Sequence, residues 1–125
     1  MNYLVDTCGW IEWLTNGKLV SSFEFYFENL NTLIVPTLVQ HELYKWICRE
    51  KNMTMALEIM GISEGCLVVP LDTSLALYAA DLSKEYNLAM ADAIIYATSR
   101  NQNAWLVTSD KHFQHIPHVK YFEKR

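Results

Sequence analysis

The sequence has no excess of positive charge, no closely spaced cysteines and no long apolar run. Its 14 acidic residues outnumber its 10 lysines and arginines, which gives a formal net charge of −4. This balance argues weakly against nucleic-acid binding, because a phosphate-binding surface usually carries a basic excess. The three cysteines lie far apart without a CxxC pair, so neither a zinc site nor a disulfide framework is expected. No apolar run approaches the ~20 residues of a membrane-spanning helix.

The sequence also lacks a secretory signal and any linker that would divide it. No basic segment precedes an apolar stretch at the N-terminus, and Asp6 interrupts the only early apolar run. There is no internal repeat and no segment rich in Pro, Gly or Ser. A chain of 125 residues with 51% hydrophobic content is long enough for one core. We therefore expect a single domain over residues 1–125, in a cytoplasmic protein that does not enter the membrane.

Short apolar runs alternate with amphipathic segments along the chain. The short runs are rich in Val, Leu, Ile and aromatic residues and predict strands at Tyr3–Asp6, Thr32–Val35, Cys66–Pro70, Ala104–Val107 and Val119–Phe122. The segments between them predict helices at Ser21–Leu30, Thr37–Glu50, Asn52–Met60, Asp72 or Thr73 to Tyr86, and Met90–Asn101. Thr37 and Gln40 have the spacing of a capping box, and Gly61 is expected to stop the helix that follows Asn52. Strands separated by helices favour parallel pairing. The predicted fold is therefore α/β, a three-layer sandwich whose central parallel sheet of four to five strands is flanked by helices.

Two acidic residues follow predicted strands. Asp6 ends the first apolar run in YLVDTCGW, and Asp110 comes just after the fourth in AWLVTSD. In open parallel sheets the functional crevice lies beyond the C-terminal ends of the strands. Both carboxylates would point into one crevice if these two strands are neighbours. Taken alone, Asp110 is equally compatible with a turn or a helix cap before KHF.

Two further acids lie in unusual helical surroundings. Glu42, in VQHELYKW, is near the rim of an apolar helix stripe, although a solvated glutamate is the more common explanation. Asp92, in AMADAIIYA, has mostly small and apolar neighbours near a helix N-terminus, where the helix dipole favours an anion. Its alternative role is that of a first-turn acid that helps the helix begin. The other ten acids are interpreted as caps, as side chains beside polar partners or as side chains on outward helical faces; this interpretation is weakest for Glu12, which lies between Trp10 and Trp13.

Four carboxylates in one crevice would repel one another unless a cation binds them. Uncompensated repulsion raises their pKa values and destabilises the fold. Ligation by oxygen alone suits the hard cations Mg²⁺ or Mn²⁺ better than zinc, and such a site most often acts on phosphates. The four histidines form no HxxxH or similar ligand pair with these acids. They are interpreted as surface or packing residues: His41, His112, His115 and His118.

Four segments stand in a characteristic order and spacing. They are YLVDTCGW, VQHELYKW, MADAIIYATS and LVTSDKHF, and together they span essentially the whole chain. In this arrangement they resemble the PIN-domain ribonucleases, and among these most closely the small VapC-type toxins of prokaryotic toxin–antitoxin pairs. Each segment is a weak signal by itself, because an Asp after a strand is common, but four in order are fairly specific.

The resemblance implies a metal-dependent endoribonuclease. It places Mg²⁺ or Mn²⁺ among four acids, with hydroxyl groups in support: Asp6, Glu42, Asp92 and Asp110, then Thr7, Thr108 and Ser109. It also implies that metal-activated water cleaves RNA to leave a 5′-phosphate and a 3′-hydroxyl. Such toxins usually form homodimers and are held inactive by an antitoxin whose tail covers the site.

Two positions depart from the family pattern, and basic residues near the acids are few. Cys8 stands where a Ser or Asn is more usual, and Ser109 stands where many relatives carry a basic residue. Ser109 removes a possible contact with a substrate phosphate but leaves the set of acids complete, so it affects expected substrate binding more than the chemistry. Lys45, Arg49 and Lys51 form the only local basic cluster, and an ordinary solvated face is its simpler interpretation.

Two other function classes stay open at this point. A non-catalytic module on the same scaffold would bind RNA or a partner without metal-stimulated cleavage. A phosphate-accepting receiver domain needs paired acids near the first strand, where only Asp6 is present.

Aromatic residues are concentrated in the N-terminal third, in numbers that exceed what the inner faces of two short helices should absorb. Core packing explains some of them. An exposed remainder, with Phe25 and Tyr26 as candidates, predicts a surface for a homodimer or for an antitoxin helix.

Overall fold

Five short strands and six α-helices make up most of residues 1–124, the part of the chain that the computed structural model describes. The strands are β1 (Tyr3–Val5), β2 (Ile34–Pro36), β3 (Leu67–Val69), β4 (Trp105–Thr108) and β5 (Val119–Tyr121). The helices are α1 (Thr7–Thr15), α2 (Val20–Phe27), α3 (Thr37–Glu50), α4 (Met53–Ser63), α5 (Thr73–Tyr86) and α6 (Met90–Asn101). One-turn 3₁₀ helices lie at Leu30–Thr32 and Lys111–Phe113.

Every strand pair in this part of the chain is parallel, as the alternation of strands and helices predicts. β1 pairs with β4, β4 pairs with β5, and β2 pairs with β3. A single parallel bridge between Tyr3 and Leu33 joins the two groups, so the spatial order is β3-β2-β1-β4-β5. β1 and β4 are therefore neighbours, and their C-terminal ends meet at the same edge of the sheet.

The deepest part of the core lies on the two central strands. Leu4 of β1 and both Leu106 and Val107 of β4 are fully buried. The helices pack in sequential pairs, α1 with α2, α3 with α4 and α5 with α6. A parallel sheet flanked by helices is the α/β arrangement that the sequence predicts. No helix among residues 1–124 has the length and hydropathy that crossing a membrane requires.

Helix α1 is missing from the predicted elements, and Asp6 belongs to its start rather than to the preceding strand. The Asp6 carboxylate accepts a hydrogen bond from the N–H of Thr7 and so caps the helix. The segment TCGWIEWLT contains a glycine and few strong helix formers, so its local signal is weak. The strand prediction through Asp6 is therefore wrong at its last residue, although the end of β1 still delivers that carboxylate.

Two predicted helix signals are wrong. The helix that starts after Asn52 does not stop at Gly61 but continues to Ser63, because Gly61 lies in open space in ordinary helical conformation. Thr37 and Gln40 form no capping box. The Gln40 amide instead donates hydrogen bonds to Ser63 Oγ and Glu64 Oε2 and so ties α3 to the end of α4.

Candidate metal centre

The four acids that the sequence singles out line one open crevice of about 540 Å³. Asp6 follows β1, Asp110 follows β4, Glu42 lies in the middle of α3, and Asp92 lies in the first turn of α6. Four separate elements thus bring carboxylates to one edge of the sheet. The crevice lies at the C-terminal ends of parallel strands, where open α/β sheets hold their ligands.

Asp6 is the most deeply buried of the four, with only 6% of the residue exposed. One carboxylate oxygen accepts from the N–H of Thr7 over 2.8 Å, and the other accepts from the Thr108 hydroxyl over 2.9 Å. Burial raises the pKa of this carboxyl to about 6, and the charges of Glu42 and Asp110 act in the same direction. Asp6 is therefore a carboxylate whose ionised form lacks sufficient compensation from the protein.

Two threonine hydroxyls connect Asp6 to the neighbouring acids. Thr7 donates its hydroxyl to Glu42 Oε1 over 2.7 Å, while its backbone N–H donates to Asp6 Oδ1. The fully buried Thr108 donates to Asp6 and accepts from the backbone N–H of Asp110 over 3.0 Å. These bonds fix the spacing of the acids before any ligand arrives.

Ser109 and Cys8 meet at the side of Asp6. The backbone N–H of Ser109 donates to the Cys8 sulfur over 3.4 Å, and that sulfur lies 3.8 Å from Asp6 Oδ2. Burial, and then the charge of Asp6, raise the pKa of the Cys8 thiol. Cys8 therefore stands here as a neutral hydrogen-bonding group rather than as a nucleophile.

His112 contacts two of the acids, so its interpretation as a surface or packing residue unrelated to them is wrong. Its Nδ1 lies 2.9 Å from Asp92 Oδ2 and 3.4 Å from Asp110 Oδ1. The hydrogen bond that the ring donates to Asp92 and the charges of both carboxylates raise the pKa of the imidazole. The pKa of Asp92 is also raised, by burial first, although its hydrogen bond with His112 opposes this.

Glu12 is buried and does not lie on an outward helical face as predicted. It accepts a hydrogen bond from the N–H of Leu19 over 3.1 Å and pairs with the Lys124 ammonium over 3.3 Å. It is not among the residues that line the crevice. Its contacts hold the turn after α1 and the C-terminal segment, so its burial is structural.

Two basic side chains of α3 face the acids. Lys45 and Arg49 line the crevice together with Glu42, three and seven residues before them on the same helix face. Arg49 also approaches Glu50, with 3.6 Å between Nε and Oε1. Both side chains are exposed, as the solvated-face interpretation predicts, and they line the crevice as well.

The donor atoms of the crevice fit a divalent cation. Its carboxylates lie close enough for Asp6 to experience the charges of Glu42 and Asp110, and for Asp92 to experience that of Asp110. A cation relieves the repulsion that these groups exert on one another. Carboxylate oxygens are the ligands of Mg²⁺ and Mn²⁺ in proteins. Among residues 1–124, Asp92, Asp110 and His112 place ligand atoms within 4.8 Å of one another, and Asp6 and Glu42 line the same crevice as the two aspartates.

The fold and the site define an α/β protein with a carboxylate centre at the ends of its parallel strands. The sequence profile of the PIN domain family matches residues 3–119. Since this match covers nearly the whole chain, the chain belongs to the PIN domain family. No curated protein sequence matches the chain.

Solved structures with this fold cover almost the full length of the chain. A toxin–antitoxin complex from Klebsiella pneumoniae aligns with a TM-score of 0.83 and 18% identity, over 98% of this chain and 100% of that one. VapC20 of Mycobacterium tuberculosis, a toxin that cleaves the sarcin–ricin loop, aligns with a TM-score of 0.76 and 15% identity, over 95% and 98%. VapBC2 from Rickettsia felis, bound to a promoter DNA fragment, aligns with a TM-score of 0.73 and 20% identity, over 98% of both chains.

Proposed function

We propose that this chain is a metal-dependent endoribonuclease and the toxin of a toxin–antitoxin pair, built as a single domain over residues 1–125. The observation that carries the proposal is the convergence of Asp6, Glu42, Asp92 and Asp110 on one crevice. A protein that only binds a partner has no use for four carboxylates in mutual repulsion. Membership of the PIN domain family, whose fold recurs in solved toxins, supports the same activity.

The acids hold a Mg²⁺ or Mn²⁺ ion in this proposal, with Asp6, Asp92 and Asp110 as ligands and Glu42 as a ligand directly or through water. When bound, the ion supplies the activation of water and the stabilisation of negative charge on the phosphate. Cleavage leaves a 5′-phosphate and a 3′-hydroxyl. The substrate is RNA in the cytoplasm.

The other side chains of the crevice position the ligands. Thr108 directs Asp6 Oδ2 and, through the N–H of Asp110, orients the loop that carries that acid. Thr7 turns Glu42 towards Asp6. Ser109 contributes its backbone N–H to Cys8, which keeps the thiol beside Asp6.

Partners are proposed from the relatives and from one exposed aromatic group. Solved relatives are toxin–antitoxin complexes, which supports an antitoxin partner, and we propose a homodimer as well. Phe25 is 58% exposed and its ring contacts those of Tyr3 and Tyr26, whereas Tyr26 itself is buried. Of the two aromatic residues proposed for a partner surface, only Phe25 is available to one.

Removal of divalent cations is expected to abolish cleavage of a mixed RNA pool by the purified chain. Adding back Mn²⁺ or Mg²⁺ restores it, and mapping of the cut ends finds 5′-phosphates. Full activity in excess EDTA contradicts the mechanism. Tight binding of RNA or of a partner without any metal-stimulated cleavage would instead favour the non-catalytic binding module.

Lys45→Gln and Arg49→Gln are each expected to weaken RNA binding by a protein whose cleavage is disabled by Asp6→Asn. The slope of log K against log salt is negative, and each lost phosphate contact reduces its magnitude by about 0.7 for a single strand. Fluorescence anisotropy of a labelled RNA measures this across a salt series. Lys84→Gln, on the exposed face of α5, is the matched control. An unchanged slope in both crevice variants contradicts the proposed phosphate contacts.

A further inference from the structure

A histidine nitrogen lies beside two of the acidic side chains at one end of the crevice. Nδ1 of His112 is 2.9 Å from Asp92 Oδ2 and 3.4 Å from Asp110 Oδ1. One ligand atom from each of these residues lies within 4.8 Å of the other two. Two oxygen donors and one nitrogen donor, from two separate segments of the chain, therefore meet at the edge of the crevice. Asp92 and Asp110 line the crevice, whereas His112 lines a smaller pocket that also contains Asp92.

The backbone around His112 holds its ring beside Asp92 and Asp110. The N–H of His112 donates to Asp110 Oδ1 over 2.9 Å at the start of the one-turn helix Lys111–Phe113. Phe113 is fully buried and anchors that turn in the core. The imidazole side chain itself is 69% exposed, so it can adjust to a ligand without displacing a packed neighbour.

A nitrogen donor changes which cation the group prefers. Mg²⁺ demands near-ideal octahedral geometry and keeps much of its own water, and it is bound in proteins mainly through oxygen. Imidazole is a ligand for first-row transition metals, and a mixed oxygen and nitrogen set favours them over Mg²⁺. The remaining positions around an ion at Asp92 and Asp110 are open to water, because both side chains are partly exposed.

We propose that His112 is a protein ligand of the crevice cation, together with Asp92 and Asp110, and that its nitrogen makes the site prefer Mn²⁺ to Mg²⁺. This proposal rests on the proposed function, because it requires that a divalent cation binds in the crevice. It adds a fifth residue and a metal preference that four carboxylates do not provide. The alternative role for the imidazole, a counter-ion that the metal must displace, makes the opposite prediction for affinity.

Binding of Mn²⁺ and Mg²⁺ to the purified metal-free chain tests this proposal. Isothermal titration calorimetry gives both affinities, and pulsed electron paramagnetic resonance of bound Mn²⁺ detects coupling to a directly bonded nitrogen. The variant His112→Asn replaces the nitrogen donor by an amide of similar reach. The control is His115→Asn: His115 is exposed, lies outside the donor group and has a φ of 71°, which Asn tolerates.

We expect nitrogen coupling in the wild type and in His115→Asn, and its loss in His112→Asn. The Mn²⁺ affinity of His112→Asn should fall about tenfold or more, while its Mg²⁺ affinity changes far less. Bound Mn²⁺ without nitrogen coupling, or a higher Mn²⁺ affinity in His112→Asn, overturns the proposal and leaves the proposed nuclease standing. Absence of any divalent binding to the wild type overturns both.

Discussion

Asp6→Asn is expected to abolish RNA cleavage and, in metal-free buffer at pH 7.5 or above (~1.5 pH units over the folded pKa), to raise the free energy of unfolding. The lost carboxylate removes a cation ligand, so cleavage falls to background. The stability gain has a separate cause, since the ionised carboxyl is buried with too little compensation. The amide oxygen of Asn can still accept the N–H of Thr7 and so keep the cap of α1.

The pH dependence of this effect follows from the direction of the shift. The folded pKa of about 6 lies above the unfolded value of 3.8, so the folded protein binds more protons between these two values. Stability of the metal-free wild type therefore falls as the pH rises from about 4 to about 6. The full penalty above that range is about 3 kcal/mol. Asp6→Asn removes it, and we expect a net gain of about 1–3 kcal/mol.

Asp72→Asn is the matched control for this experiment. Asp72 also caps a helix, accepting from the N–H of Leu75 over 2.8 Å, but it is exposed and does not line the crevice. Asn caps helices as well as Asp does, so cleavage and stability should stay at wild-type values. Urea unfolding in EDTA at several pH values measures the difference. A wild-type pH profile in Asp6→Asn would show that Asp6 is not the group that titrates.

Gly9→Ala is expected to destabilise the fold by about 2–3 kcal/mol, whatever ions are present. A Cβ at Gly9 would lie 2.4 Å from Val5 Cγ1 and 2.7 Å from two ring atoms of Phe23. Val5 is a stiff β-branched residue of a central strand and Phe23 is fully buried, so neither can retreat at low cost. Gly9 is therefore where α1 approaches β1 and α2 most closely.

Gly61→Ala is expected to have the opposite effect on stability from Gly9→Ala. Nothing lies within 4 Å of a Cβ at Gly61, which is inside α4, so Ala is expected to stabilise the protein by about 0.5–1 kcal/mol. Chemical denaturation of both variants gives the comparison. If Gly9→Ala were as stable as Gly61→Ala, the close packing of α1 against β1 would be contradicted.

The helices with a clear hydrophobic period or a capping residue are the ones whose bounds the sequence predicts correctly. Helices α3 and α6 have the predicted bounds, and Asp72 caps α5 as one of its two predicted starts. Helix α1 escapes prediction because its positions are fixed by tertiary packing around Gly9 rather than by propensity. The predicted end of α4 is wrong because Gly61 does not adopt the left-handed backbone conformation that ends many helices. Asn16 and Asn87 serve as the left-handed caps instead.

The meeting of Asp6 and Asp110 follows from the rule for parallel sheets once their strands are neighbours, because the rule concerns strand ends. Glu42 and Asp92 lie in helices, so their place beside these two acids is implied by the family resemblance and not by that rule. The contact of His112 with them could not be predicted in the same way. This contact depends on a single turn of 3₁₀ helix, which places the ring beside Asp92 of α6. No metal-ligand spacing in the sequence indicates it. Glu12 is likewise paired with a residue more than a hundred positions along the chain, Lys124, which no local pattern indicates.

The bond between the Thr108 hydroxyl and Asp6 joins residues 102 positions apart. β1 is made first but finds its partner β4 only after most of the chain has left the ribosome. A nascent or truncated chain that ends before β4 lacks Asp110 and leaves Asp6 without its partner. Such long-range closure is also slow to form. If the proposed function holds, cleavage is therefore expected only after β4 and Asp110 have been made and β4 has paired with β1.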